Sequence, residues 1–387
     1  MSDDKKISVW SKYTSEERAA VDALAHGYID FLSDCKTERE SVTEAVRRAR
    51  AAGYRDLVDV IAKGETLAAG DKVYAVNMKK AIVLFHIGTE PMERGMNILG
   101  AHIDTCRLDV KQNPLYEDNG LAYFDTHYYG GVKKYQWVTI PLAIHGVIAL
   151  KDGSTIPVVI GEDEDDPVFC ISDLLIHLSR EQLGKKASEA IEGEMLDLIV
   201  GNRPLVLVEK NNEVDGSNAS AQNITADNAC DAENPSAKEA VKASVLALLK
   251  DSYGIEEEDF LSAELEIVPA GAARDMGFDR SMVLGYGHDD RSCAYPSLIA
   301  HLDAHEVERT AVTVLADKEE IGSRGATGMT SRFFENTIAE ILELADEGGS
   351  LALRRCLKNS RMLSSDVSAA YDPNFPNSFE IKNSAFM

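Results

Sequence analysis

Residues 311–325 read AVTVLADKEEIGSRG. Ala311 to Ala316 is a short apolar run of strand length, the pattern of a buried strand. It ends abruptly in Asp317-Lys318-Glu319-Glu320, and open α/β sheets place their sites at such strand ends. Two adjacent carboxylates directly after a buried strand are costly unless exposed or paired. One of them can bind a metal while the other takes a proton from an attacking water. A solvated loop is the plain alternative. Gly322 and Gly325 let the backbone turn tightly after the acids.

Outward from this stretch the pattern repeats. Met96 to Thr105, MNILGAHIDT, is a second short apolar run ending in polar residues. Ser15 to Cys35 carries apolar residues at helical spacing behind a Ser N-cap signal, and Lys36 to Ala52 reads as a second helix stopped by Gly53. Lys72 to His86 reads as two adjacent strands, Met329 to Ala345 as a helix, and Arg361 to Val367 as another strand end. Helix and strand alternate, the mark of an α/β layer. Between the two α/β segments the texture changes. Tyr135 to Ile160 is β-rich and punctuated by Pro141, Gly146, Asp152-Gly153 and Pro157, which reads as hairpins. Gly161 to Asp166 is an acidic loop, Asn211 to Ala237 a polar surface loop, and Ala237 to Ser252 a helix. The expected organisation is a catalytic domain in two segments, residues 1–109 and 272–387, around an inserted β-rich domain of residues 110–271.

The formal charge of −25 argues against nucleic acid, which is bound through Lys and Arg contacts to phosphate. No run approaches the roughly 18 apolar residues of a membrane span, and the polar start MSDDKKISVW lacks a signal-peptide core. Cytoplasmic residence is the expectation. The six cysteines are scattered without a CxxC pair, which points to buried free thiols rather than a zinc knuckle or a disulfide framework.

Three further clusters join the acids after Ala316. In His102-Ile103-Asp104 the imidazole can bind a metal while the carboxylate fixes its tautomer. In Gly287-His288-Asp289-Asp290-Arg291 a carboxylate can bridge two ions, or cap a helix. Asp366, in MLSSDV, follows an apolar approach. One histidine and three or more carboxylates suit zinc, and also manganese or cobalt.

The strings GAHIDTCRLDVKQNPLYEDNGLAYFDTHYYGGVKKYQW, GYGHDDRSCAYPSL, DKEEIGSRGATG and MLSSDVSAAYDPNFP closely resemble the aspartyl-aminopeptidase family of zinc metallopeptidases, its bacterial branch in particular. The resemblance implies a phosphorylase/hydrolase-like three-layer α/β domain with an inserted β-rich dimerisation domain. It implies removal of N-terminal residues from peptides with two Zn2+ per subunit, and dimers that assemble into a dodecamer. Carried over, it makes His102, Asp289 and Asp366 ligands of one metal, with Asp289 bridging to a second that Glu320 also binds. Glu319 becomes the general base and Asp104 the group that orients His102. His177, in SDLLIHLSRE, matches a histidine that reaches a neighbouring subunit's active site. A helix histidine at an ordinary interface is the alternative there. The family continues beyond DPNFP to a final histidine ligand, whereas no histidine follows His305 here. The expectation is therefore a chain that is truncated at its C-terminus. Its alternative function is an impaired or inactive member serving only in assembly, or having no independent role.

Overall fold

A computed structural model describes residues 8–205 and 239–386, so the polar stretch Asn211 to Ala237 lies outside the described residues. The chain divides into two compact units. The first comprises residues 1–106, 129–131 and 271–387, and the second residues 107–128 and 132–270. The expected joins, 109/110 and 271/272, differ by a few residues. The return of Tyr129–Gly131 to the first unit is a feature the expectation did not contain.

The first unit opens with α1 (Ser15–Asp34) and α2 (Glu38–Ala51). Both starts are fixed by reciprocal side-chain caps. Thr14 accepts from the Glu17 N–H while the Glu17 carboxylate accepts from the Thr14 N–H. Thr37 and Glu40 repeat the arrangement. The caps are thus Thr14 and Thr37, not Ser15, and α2 begins two residues later than Lys36. Then follow β1 (Arg55–Asp56), α3 (Leu57–Ala62), β2 (Lys72–Asn77), β3 (Ala81–His86) and β4 (Asn97–His102).

The second unit is a six-stranded sheet. It contains β5 (Arg107–Asp118), β6 (Leu121–Tyr129), β7 (Leu142–Ala149), β8 (Thr155–Ile160), β9 (Leu198–Gly201) and β10 (Ala263–Pro269), in the order β8-β7-β10-β5-β6-β9. Short helices α4 (Arg180–Leu183) and α5 (Ala187–Ala190) and the longer α6 (Ala240–Tyr253) accompany it. Leu142 to His145 of β7 and Leu265 to Val268 of β10 are buried without alternation, so these inner strands are covered on both faces. β6 and β8 show the alternation of half-buried antiparallel strands.

Back in the first unit come the small hairpin β11 (Arg274–Met276) and β12 (Met282–Leu284), then α7 (His288–Leu302), β13 (Ala311–Ala316), α8 (Phe333–Leu344), α9 (Ala352–Asn359) and β14 (Arg361–Ser364). The helix expected from Met329 starts at Phe333 because residues 328–331 instead close a turn, with Thr330 N–H donating to the Ser323 carbonyl.

The sheet order is β1-β2-β3-β13-β4-β14. β13 pairs antiparallel with β3 and parallel with β4, and β14 runs parallel to β4 at the edge. Every residue of β3 is buried, and its side chains part to two faces. Val83 and Phe85 pack with Leu57, Val314, Ile338 and Cys356 on the side of α3, α8 and α9. Ile82 and Leu84 pack with Val42, Ala45, Ala294 and Leu298 on the side of α2 and α7. The first unit is therefore a three-layer α/β domain. β4, β13 and β14 are mutually parallel, and all end on the same side, where the acidic clusters follow. β14 is exposed throughout, including Leu363.

Among the described residues no helix is long and apolar enough to cross a membrane. The described cysteines are free, but only Cys35 and Cys356 are buried. Cys106 and Cys293 are half-buried and Cys170 is exposed, which corrects the expectation of uniformly buried thiols.

His301, on α7, is buried beside the Tyr54 ring. Burial first, and then the charges of His86 and Lys72, push its pKa down to about 3. The folded protein holds it neutral, whereas an unfolded chain protonates it near 6.5. Stability supplied by neutral His301 is complete above about 6.5 and is lost as pH falls toward about 3. Replacing His301 with Leu should flatten the acid side of the stability profile by up to about 1.4 kcal/mol per pH unit, as measured by urea titrations at successive pH values.

Candidate metal centre

The site is built at the ends of β4 and β13 and at the start of α7. His102 is the last residue of β4 and is buried. Its Nδ1 lies 3.0 Å from the Asp104 carbonyl oxygen and 3.3 Å from Asp104 Oδ1, so this nitrogen carries a proton and donates. Its Nε2 points the other way, 3.2 Å from Asp289 Oδ1 and 3.8 Å from Glu319 Oε2.

Asp104 is fully buried. Besides His102 it accepts the Tyr129 hydroxyl at 2.8 Å and the backbone N–H groups of Glu319 and Glu320 at 3.1 and 3.2 Å. Burial would raise its pKa, but the bonds from His102 and Tyr129 outweigh that and lower it. Burial would likewise lower the pKa of His102. The hydrogen bond and charge of Asp104, followed by the charge of Asp290, raise it instead to about 9.

The His-Asp-Asp segment is not yet regular helix. Asp289 and Asp290 have non-helical backbone angles, and α geometry follows from Arg291. Asp289 is half exposed. Asp290 is buried, accepts the His102 N–H at 3.3 Å, and has its pKa raised to about 6 by burial. The Arg291 guanidinium, wholly buried, donates to the carbonyls of Lys36 and Ile103. It thereby fixes the start of α7 to the end of β4.

After β13, Lys318 takes a left-handed conformation (φ 67°) and a single turn of 3-10 helix, Glu319–Ile321, ends at Gly322 (φ 92°). This turn leaves Glu319 exposed and Glu320 half-buried. Burial raises the pKa of Glu320. Gly130 packs so closely here that a side-chain carbon on it would meet Cys106 Sγ at 2.7 Å and Glu320 Oε2 at 3.3 Å. Only glycine leaves room.

Donor atoms of His102, Asp290 and Asp366 all lie within 4.8 Å of one another. One imidazole and two carboxylates at that spacing form a donor set that fits a divalent ion such as zinc. The sequence had put Asp289 rather than Asp290 with His102 and Asp366. In the structure both aspartates approach His102, Asp289 through its Nε2 and Asp290 through its N–H. Asp104, Glu319 and Glu320 also converge here. His177 lies in the other unit, exposed, in a turn rather than a helix. The sequence reading passed over Asp290, although the doubled aspartate was its signal, and over Tyr129, for which only the following Gly130-Gly131 pair offered a hint.

Comparison with known proteins decides the family. Residues 31–387 match the family model of the M18 peptidases, aminopeptidase I zinc metalloproteases. The chain belongs to the M18 family. A probable M18 family aminopeptidase 1 from Clostridium acetobutylicum is 54% identical over 380 residues, covering 98% of this chain and 76% of the relative. The crystal structure of aminopeptidase I from the same organism superposes with a TM-score of 0.81 at 52% identity, covering 98% of this chain and 76% of that one. An M18 aminopeptidase structure from Thermotoga maritima gives 0.84 at 40% identity, covering 99% and 77%. This M18 chain is thus an aminopeptidase of a zinc-dependent family, with the α/β fold expected of it.

A metal held through His102 would need its neutral imidazole as a donor. Because Asp104 and Asp290 hold His102 protonated to about 9, each pH unit below that should weaken metal binding by up to about ten-fold. Protonation of Asp290 below about 6 should weaken it further. Chelator competition across pH 6 to 9 measures this, and Asp104→Asn should flatten the dependence.

Proposed function

We propose that this M18 chain removes N-terminal residues from peptides at a centre of two divalent ions, zinc by preference, with manganese or cobalt as substitutes. The convergence of His102, Asp289, Asp290 and Asp366 with Glu319 and Glu320 carries the reading. His102, Asp289 and Asp366 would hold one ion, and Asp289 and Glu320 the second, so that Asp289 bridges. Asp290, buried and tied to the His102 N–H, would keep that bridge in place and lend an oxygen to the first ion. When bound, the ions act as Lewis acids that polarise the scissile carbonyl and acidify the attacking water.

The chain's own residues do the rest. Asp104 holds the His102 Nδ1 proton, which leaves Nε2 as the donor toward the site. Glu319 is half exposed, with Oε2 beside the His102 ring. It accepts the proton of the attacking water and returns it to the leaving amine. Its backbone N–H is held by Asp104, so the base and the ligand His102 are positioned by one carboxylate.

Glu319→Gln should lower kcat by roughly 10²- to 10⁴-fold while metal content stays unchanged. His102→Ala should lose metal as well as activity. Measuring zinc content beside hydrolysis of aminoacyl anilides separates the two, and full activity in Glu319→Gln would refute its role as base.

The second unit is proposed to mediate self-association. Leu174, Leu175, Ile176 and Leu178 are each more than half exposed around His177, an apolar run that water disfavours and a second copy can cover. In that arrangement His177 would reach the neighbouring subunit's centre. Leu175→Asp with Ile176→Asp should shift sedimentation toward the monomer without unfolding the first unit.

A further inference from the structure

The loop that carries Glu319 and Glu320 leaves the sheet at Asp317 and returns to it at Gly328, where the two residues form a parallel bridge. The Thr327 hydroxyl donates to the buried Asp317 carboxylate. Within the loop, the Ser323 N–H donates to the Lys318 carbonyl at 2.7 Å, and the Thr330 hydroxyl to the Ser323 carbonyl at 2.8 Å. The loop is a closed unit with a narrow stem.

A second element grips that stem from behind. β2 and β3 are joined by a tight turn in which Met78 and Lys79 both have positive φ, 50° and 60°, and the Lys80 N–H donates to the Asn77 carbonyl at 2.9 Å. This is the backbone of a primed hairpin turn. The Asn77 amide donates to the Ala326 carbonyl at 2.7 Å, on the returning arm of the loop. Lys80, buried, places its ammonium 2.7 Å from the Glu38 carboxylate, which is itself fully buried on α2. The β3–β13 ladder ends with Leu315 opposite Ile82. Beyond it, at the departing arm of the loop, the buried Asp317 carboxylate feels the Lys80 charge, which opposes the upward push on its pKa from burial and from Glu38. Lys80 is therefore the ion-pair partner of Glu38 on α2, and its charge also acts on Asp317 at the departing arm of the loop. A buried carboxylate left without such a partner is strongly disfavoured.

We infer that Asn77 and Lys80 are positioning residues for the reaction. The β2–β3 turn grips the returning arm of the 317–328 loop through the Asn77–Ala326 hydrogen bond and steadies the departing arm through the charge of Lys80 on Asp317, and so sets where Glu319 and Glu320 stand relative to His102. Neither residue belongs to the proposed ligand set or touches the space above His102 Nε2. The inference deepens the aminopeptidase reading and rests on it for its kinetic consequence. The loop's immobilisation is a separate physical claim.

The test uses the 387-residue protein and its Asn77→Ala, Lys80→Met and Lys80→Arg variants. Misplacement of a base and a ligand by a fraction of an ångström should lower kcat for an aminoacyl anilide by roughly ten- to a hundred-fold. KM should stay within about two-fold, since substrate binding is not what is lost. Lys80→Arg should recover most of the rate. Independently of activity, Arg324 is exposed on this loop, and its cleavage by trypsin in metal-free protein should speed up by about ten-fold in Asn77→Ala and Lys80→Met, because cleavage follows local opening. If Lys80→Met does not fold, Asn77→Ala carries both readouts, because its side chain is only partly buried. Unchanged kcat with unchanged cleavage after Arg324, or a loss confined to KM, would overturn the inference. A parent protein without peptidase activity would instead overturn the aminopeptidase reading, and the cleavage rates would then decide the clamp by themselves.

Discussion

The buried Asp104 carboxylate is the constraint around which the site is arranged. A charge removed from water in this way survives only if its lone pairs are taken up by donors. Here those donors are the His102 ring, the Tyr129 hydroxyl and two consecutive backbone N–H groups, those of Glu319 and Glu320. Each comes from a different part of the chain: the end of β4, the brief return at residues 129–131, and the loop after β13. Satisfying one carboxylate therefore brings three separate segments into register. Removing a partner from such a buried charge typically costs about 3–5 kcal/mol, so the segments are held together by more than their shared hydrophobic packing.

The sheet makes this convergence repeatable. β3 is buried on both faces, and its neighbours β2 and β13 carry the same two-sided packing against α3, α8 and α9 on one side and α2 and α7 on the other. A one-residue slip of β13 would exchange its two sets of side chains between layers. Register is thus fixed by packing, and the position of the acids that follow Ala316 is fixed with it. Arg291 does the same for the α7 segment by bonding the Ile103 carbonyl between His102 and Asp104.

Much of this was legible because the signals are local. The apolar run Ala311–Ala316 is the strand observed, residue for residue, and the paired strands within Lys72–His86 are β2 and β3. The M18 motifs drew attention to His102, Asp104, Asp289, Glu319, Glu320 and Asp366, all of which lie in the first unit. What was not legible depends on long-range geometry. No pattern in the sequence says that Tyr129 leaves a β-rich insert to hold Asp104, because the tyrosine reads like any strand aromatic. Asp290 looked interchangeable with Asp289, and only the fold shows that one is buried against the His102 N–H while the other stays half exposed. Helix starts were missed by one or two residues where a threonine cap, rather than hydrophobic spacing, sets the boundary.

The sheet order also bears on how the chain is made. β3 and β4 are consecutive strands, yet β13 lies between them, and it is synthesised only after the ribosome has passed from His102 to Ala311. At about 5–20 residues per second the two strands wait on the order of ten seconds or longer for the strand that joins them. Throughout that interval the inward edges of β3 and β4 are unsatisfied, and in its last part, once β10 has been made at Pro269, the second unit has all six of its described strands. The order of synthesis thus lets the inserted unit fold first and leaves the apolar strands of the catalytic sheet as nascent edges that other chains, or a chaperone, can engage.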